Sequence, residues 1–306
     1  MPTVTAIRRV FAVFTMAMLL LVLAAGAAHA QVKQVLVLGD SDASGNVGNR
    51  SLDYLLAAKT QMEGVVGAAN VTYIAGMQLS TPALTPADMR RPDGSKYDVV
   101  VLVATYKGIA ANNRDVIKNA IVNGDANAFF LFPDQCNGCT ANVDQITMDW
   151  IPAITGWTLS KGLYLGTPTA ANGYGFAELN TGNTTLSGSF TGAAPLVVNN
   201  YTTINGVPEA NVLYMPRSQT LANNTNAATG LVSNVAALVV PRDPAKQHAC
   251  VFVISDVNPW YNGAASSKPN PNLAQAVLNA SSGSTCSAGN EGSITIDKTL
   301  AALPAG

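Results

Sequence analysis

YDVVVLVAT, residues 97–105, decides the fold. Its apolar core is too short for an ordinary helix, is dominated by β-branched valines, and shows no polar alternation. That is the pattern of a strand buried on both faces. Upstream, QVLVLG at 34–39 repeats it and is followed by a polar, glycine-containing loop at 40–50. Residues 51–66 then place Leu52, Leu55, Leu56, Met62, Val65 and Val66 at helical spacing. A short strand is expected at 71–75. A Pro-rich connection at 76–96 follows, with a helical turn at 86–90. Downstream, residues 112–123 read as a helix with Val116, Ile117, Ala120 and Ile121 on one side. Residues 128–132 read as a strand and 143–154 as another helix. This alternation implies an α/β fold with a mostly parallel central sheet and helices on both faces.

From 156 to about 216 the pattern changes to short apolar patches separated by Gly, Asn and Thr, read as an antiparallel β-insertion or a loop-rich cover. Residues 235–240 and 249–255 (ACVFVIS) restore the buried-strand pattern, and 269–280 supply a last helix. The expected domain therefore runs over residues 31–290. The tail, 291–306, contains GSITIDKTL. It reads equally as an edge strand of the main sheet or as the first strand of a β-sandwich repeat of the kind common in bacterial surface proteins.

The chain has 306 residues, 48% of them hydrophobic, which excludes a disordered protein. Only 11% are charged, and a net charge of −1 gives no electrostatic footprint for nucleic acid. Residues 1–30 have the three parts of a secretory signal: Arg8 and Arg9, an apolar run, and an Ala28-His29-Ala30 cleavage site. No later segment has the roughly 18 uninterrupted apolar residues of a membrane helix. The expected product is exported: periplasmic, extracellular or at the cell surface.

Four cysteines, Cys136, Cys139, Cys250 and Cys286, suit that compartment. They allow three pairings. Cys136–Cys139 with Cys250–Cys286 is favoured because the first two are local and the second two flank one βα unit.

Ligands in open parallel sheets bind at the carboxyl ends of the strands. The expected strands end in Asp40-Ser41-Asp42, Thr105-Tyr106-Lys107, Asp134-Gln135-Cys136 and Asp256-Val257-Asn258. This places Asp40, Ser41, Tyr106, Asp134, Cys136, Asp256 and Asn258 along one rim. The competing reading is that short polar residues cap turns at strand ends whatever the function.

The order of elements, with AFFLFPDQCNGC at 128–139 and VFVISDVNPW at 251–260, resembles the class I glutamine amidotransferase-like superfamily. That resemblance implies a flavodoxin-like α/β fold and a nucleophilic cysteine on a strand-to-helix turn, in a G-x-C-x-G setting. The matching segment is Asp134-Gln135-Cys136-Asn137-Gly138, in which Asp134 replaces the first glycine. Such a thiol needs a base in hydrogen-bond reach. After signal removal one histidine remains, His248, which precedes its strand. Seven residues at roughly 3.3 Å each put it about 23 Å from Asp256. The triad is therefore absent, and the resemblance implies a catalytically degenerate member.

Gly39-Asp40-Ser41 is similar to the nucleophile block of SGNH hydrolases, but the late D-x-x-H is missing: Pro259 follows Asp256-Val257-Asn258. Cys136-Asn137-Gly138-Cys139 resembles a thioredoxin-like C-x-x-C, though in an exported chain it reads first as a local disulfide. Asp40-Ser41-Asp42-Ala43-Ser44-Gly45 fits the first half of a calcium loop, with Asp40, Asp42 and Ser44 as oxygen ligands. Position 12 is Ser51 rather than Glu. Ca²⁺ is thus the one cofactor the sequence suggests.

Three functions are compatible with these residues. The leading one is a non-catalytic exported domain that binds an extracellular ligand or protein at the rim. The others are a thiol enzyme built on Cys136, either a divergent hydrolase or a disulfide oxidoreductase, and a carboxylate or calcium site at Asp40, Asp42 and Asp256.

Overall fold

The valine-rich runs pair with one another in the computed structural model, which describes residues 33–42, 51–105, 108–135, 141–166, 175–182, 187–243, 245–261, 270, 272–282 and 286. The first half of the domain is built from β1 (Val35–Gly39), α1 (Ser51–Val66), β2 (Val71–Ile74), β3 (Tyr97–Ala104), α2 (Ala111–Val122) and β4 (Ala126–Pro133). The expected helix at 143–154 is two helices, α3 (Ala141–Met148) and α4 (Trp150–Thr155), which meet at Asp149. Next come β5 (Ser160–Leu165), β6 (Phe176–Leu179), β7 (Leu196–Val197), β8 (Tyr201–Asn205), β9 (Val207–Pro208) and β10 (Val212–Pro216). The last elements are β11 (Thr225–Asn226), β12 (Leu231–Val232), β13 (Ala237–Val240), β14 (Cys250–Ile254) and α5 (Leu273–Ser282).

The main sheet has nine strands in the order β2-β1-β3-β4-β14-β13-β10-β6-β7. Strands β2, β1, β3, β4 and β14 run parallel. From β14 outward each pairing is antiparallel: β14–β13, β13–β10, β10–β6 and β6–β7. Two small sheets, β11-β12-β9 and β5-β8, accompany it. Beyond α1 and α2, the described helices span ten residues or fewer.

The expectation of a mostly parallel, flavodoxin-like sheet is therefore corrected: the sheet is mixed. A buried apolar run specifies that a strand is internal, not which way it points. Connection length carries the direction. Only residues 241–249 join β13 to β14, and no helix is described in them, whereas a parallel crossover needs a dozen or more residues. Strands β6, β7 and β10, from the stretch read as an insertion or cover, extend the main sheet itself.

Each face of the sheet carries its own core. On one, α1 and α5 pack against Val35, Val37, Val101, Phe130, Phe132 and Phe252. On the other, α2, α3 and α4 pack against Leu36, Leu38, Val100, Leu102, Leu131 and Val253. Cys250 and Cys286 form a disulfide that ties the start of β14 to the segment after α5. Cys136 and Cys139 lie outside the described residues, as do residues 1–30, expected to form the secretory signal, and the 291–306 tail. Among the described residues, no helix is long and apolar enough to cross a membrane.

Candidate functional site

The parallel half of the sheet determines where the acidic residues go. Ala104 on β3 pairs with Pro133 on β4, and Val253 on β14 with Leu131, so continuing the register sets Thr105 beside Asp134 and Asp256 on its other side. Asp40 follows β1, on the far side of β3. It is brought inward at Gly39, where a Cβ would stand 2.6 Å from the Val103 carbonyl and 2.7 Å from Leu55 Cδ1. Only glycine lets α1 and β3 approach so closely.

The three carboxyls are held differently. Asp40 is fully buried; its Oδ2 accepts from Thr105 N at 3.2 Å and from Thr105 Oγ1 at 2.5 Å. The Thr105 hydroxyl also meets Ser51 Oγ at the start of α1. Asp40 Oδ1 has no partner. Burial raises the Asp40 carboxyl to about 7, against the hydrogen bonds from Thr105, and the charges of Asp42 and Asp134 push the same way.

Asp256 is also fully buried, and both its oxygens are used. Oδ1 accepts from Asn258 N at 3.0 Å, and Oδ2 accepts from Asn199 N in the segment between β7 and β8. It therefore clamps the antiparallel half of the domain onto the rim. Gln135 makes a second clamp. Its carbonyl accepts from Thr202 N on β8, and its side-chain amide donates to Thr147 on α3.

Asp134 lies between these two. It is partly buried, its main-chain N–H donates to Ala104 O at 2.8 Å, and among the described residues its carboxyl enters no hydrogen bond or ion pair. Desolvation raises it to about 7. Desolvation likewise raises Asp256 well above the usual carboxylate range, and the neighbouring Asp134 charge adds to it. Two buried carboxyls on adjacent strand ends, with no cation beside them among the described residues, are held toward their protonated forms near neutral pH.

Aromatic hydroxyls complete the surroundings. Tyr54 on α1 hydrogen-bonds the Asn258 side chain; burial raises its phenol first, and the charges of Asp256 and Asp134 add to that. Tyr201 on β8 is fully buried with an unpartnered hydroxyl, raised by burial and then by Asp256. Ser255 Oγ and Gln135 Oε1 are buried and unpartnered as well. Beside the rim, α1 and the turn after β14 flank an open, mostly apolar cleft of about 370 Å³. Asp53, Leu56, Gln61, Trp260 and Tyr261 line it, and Tyr261 meets the Tyr54 ring edge-on at 5.6 Å.

Of the residues expected at the rim, Asp40, Asp134, Asp256 and Asn258 are brought together. Ser41 is not presented as a nucleophile: its N–H donates to Gln78 Oε1 at 3.0 Å, and its hydroxyl accepts from Gln78 Nε2 at 3.4 Å. His248 sits at the opposite end of β14, buried, with Nδ1–H donating to Ala249 O at 2.8 Å. Tyr106, Lys107, Cys136 and Ser44 lie outside the described residues. Of the calcium-loop set, Asp40 is turned onto Thr105, and Asp42 is half-buried with its carbonyl accepting from Leu52 N. Among the described residues, no three His, Cys, Asp or Glu side chains come together as a metal cage.

Ser51, Tyr54, Asn199, Tyr201 and Ser255 were not singled out as site residues in the sequence. Ser255 ends ACVFVIS and was findable as a strand-end residue. Asn199 and Tyr201 carry no local signal, because their place depends on how the antiparallel half folds back.

The site thus belongs to a mixed-sheet α/β domain with a buried carboxylate rim at its parallel end. No family model matches the chain, and no curated protein matches it. Among solved structures, the chain is similar to one described as the mmIFT52 N-terminal domain. The TM-score is 0.43 at 9% identity, covering 80% of this chain and 96% of that one. A similarity of that size assigns no function.

Proposed function

We propose that this chain is an exported, non-catalytic domain that binds a ligand at the carboxyl ends of its parallel strands. Export rests on the secretory pattern of residues 1–30 and accords with the Cys250–Cys286 disulfide. The absence of catalysis rests on His248, which lies a full strand away from the rim.

The observation that carries the binding reading is Asp134. A carboxyl held between two others, without a hydrogen bond or a cation among the described residues, destabilises the fold whenever it is ionised. A residue that weakens the fold is retained for something other than the fold. Asp134→Asn keeps the shape and removes the charge. The expected outcome is a gain of about 1–3 kcal/mol at pH 7.5, discounted from the full linkage because the residue is partly exposed. Denaturant unfolding measures it. A loss of stability would make Asp134 a structural residue and end this reading.

A second reading follows from the adjacency of Asp134 and Asp256. Two carboxyls on adjacent strand ends, both raised toward neutral pH, can supply an acid and a base at once. Its mark would be an activity with a pH-profile limb near 7 that Asp134→Asn abolishes.

A further inference from the structure

Most of the unpartnered atoms at and beside the rim can accept a hydrogen bond; the exception is Trp260 Nε1, a buried donor in the turn after β14. Asp40 Oδ1, Gln135 Oε1 and Asn199 Oδ1 are buried and unpartnered, and all three can only accept. The hydroxyls of Tyr201 and Ser255, also unpartnered, can accept or donate. None of the five is a donor only. Gln135, Tyr201 and Ser255 are fully buried, so solvent does not satisfy them. Gln135 and Ser255 each adjoin a rim aspartate in sequence, and the Gln135 N–H reaches Ser255 O at 3.4 Å across the strands. Tyr201 lies within range of the Asp256 charge.

The charges agree with the hydrogen-bonding count. Asp40, Asp134 and Asp256 enter none of the ion pairs among the described residues. Other titratable groups face them from each packed element: Asp42 after β1, Tyr54 on α1 with Tyr261 against it, and Tyr201 on β8. Among the described residues, the groups that face the rim are all acidic or neutral. A surplus of acceptors with unneutralised negative charge is complementary to a cation that brings several donors.

A single metal ion fits this spread poorly. Asp40 and Asp134 stand two strand spacings apart, about 9–10 Å between backbones, whereas hard cations hold oxygens at about 2.0–2.6 Å. An ammonium carries three donors and a guanidinium five in a planar fork, so either can serve oxygens spread over several ångströms.

We propose that the rim binds an organic cation, an alkylammonium or guanidinium group, which donates to Asp134 and to the unpartnered oxygens around it. This rests on the rim being a ligand site. Binding favours the ionised carboxyls, so it releases protons and tightens as pH rises, by up to tenfold per unit below pH 7 and levelling above.

The test uses the intact mature protein, titrated calorimetrically with n-butylammonium, with methylguanidinium and with Ca²⁺. Titrations are run at pH 5.5 and 8, and at pH 6.5 in two buffers of different ionisation enthalpy. Saturable binding of one organic cation is expected, with proton release at pH 6.5 and at least tenfold tighter binding at pH 8 than at pH 5.5. Asp134→Asn should weaken it at least tenfold and abolish the proton release. Tyr201→Phe removes only a hydroxyl, should leave the fold intact, and should weaken binding about 3- to 10-fold. If neither organic cation binds, or only Ca²⁺ does, while Asp134→Asn gains stability, this inference is wrong and the ligand-site reading stands. If Asp134→Asn loses stability, both fall.

Discussion

Asp134 and Asp256 are neighbours of the same chemical type, yet substitution should move them in opposite directions. Asp256 accepts main-chain N–H groups from Asn199 and Asn258, so it serves as a joint between two parts of the chain. Asp256→Ala strands one buried and one part-buried donor, the buried one costing about 1–3 kcal/mol when left unmade, partly offset by removing a buried carboxyl. The expected net loss is about 1–3 kcal/mol, against the gain expected for Asp134→Asn. Equal signs in the same denaturant titration would contradict this division of roles. The sequence placed both residues at strand ends but not the difference between them. What decides it is Asn199, 57 positions away along the chain. The serine in Gly39-Asp40-Ser41 shows the converse: a local pattern resembling a nucleophile block is a side chain held by Gln78.

At the scale of elements, legibility followed burial. Strands β1 and β14 are apolar and buried throughout, β3 and β4 are so apart from Asp98 and Asn127 at their second positions, and all four could be read directly. Helix α1 was read over the same residues, 51–66, because its apolar positions recur at helical spacing. The direction of β13 was not read, although the helix-free link to β14 carried it. Strand β10, VLYMP, was hidden because its Gly- and Asn-rich flanks resemble those of surface loops. Its partners show that the stretch read as an insertion or cover is part of the core. Phe190, in the short 3₁₀ segment Gly188–Ala193, is fully buried, with its ring 5.7 Å from Phe252, 6.1 Å from Tyr214 and 6.5 Å from Phe130. It thus touches β4, β14 and β10 together. Phe190→Ala should cost about 3–5 kcal/mol in one cooperative transition, since it opens a cavity in a shared core. A separate early transition, with the rest melting as wild type, would show instead that residues 156–216 fold as an independent cover.

For the whole molecule, the rim makes stability depend on pH in an unusual sense. Carboxylates that are paired in the native state make proteins lose stability as pH falls. Asp40 and Asp134 behave oppositely, with folded values of about 7 against 3.8 for a free carboxyl, and Asp256 is raised as well. Between those values the folded chain holds protons that the unfolded chain has released, so stability falls as pH rises from about 4 to 7 and is level above. Below about 4 both states are protonated and the advantage is fully present. Asp93, lowered chiefly by its hydrogen bonds from Ser95, acts in the other direction, but only below the ordinary carboxylate range and at an exposed position. Each pH unit of separation is worth at most about 1.4 kcal/mol per group, so the rim as a whole should change stability by several kcal/mol across the window. Thermal unfolding of the protein at half-unit steps from pH 4 to 8 should show the midpoint declining and then reaching a plateau. Asp134→Asn should flatten the decline, and a saturating organic cation should flatten it from the alkaline side by stabilising the ionised rim. A midpoint that rises from pH 4 to 7 would mean that the rim carboxyls are neutralised in the folded protein, and the site would have to be rebuilt around whatever cation does it.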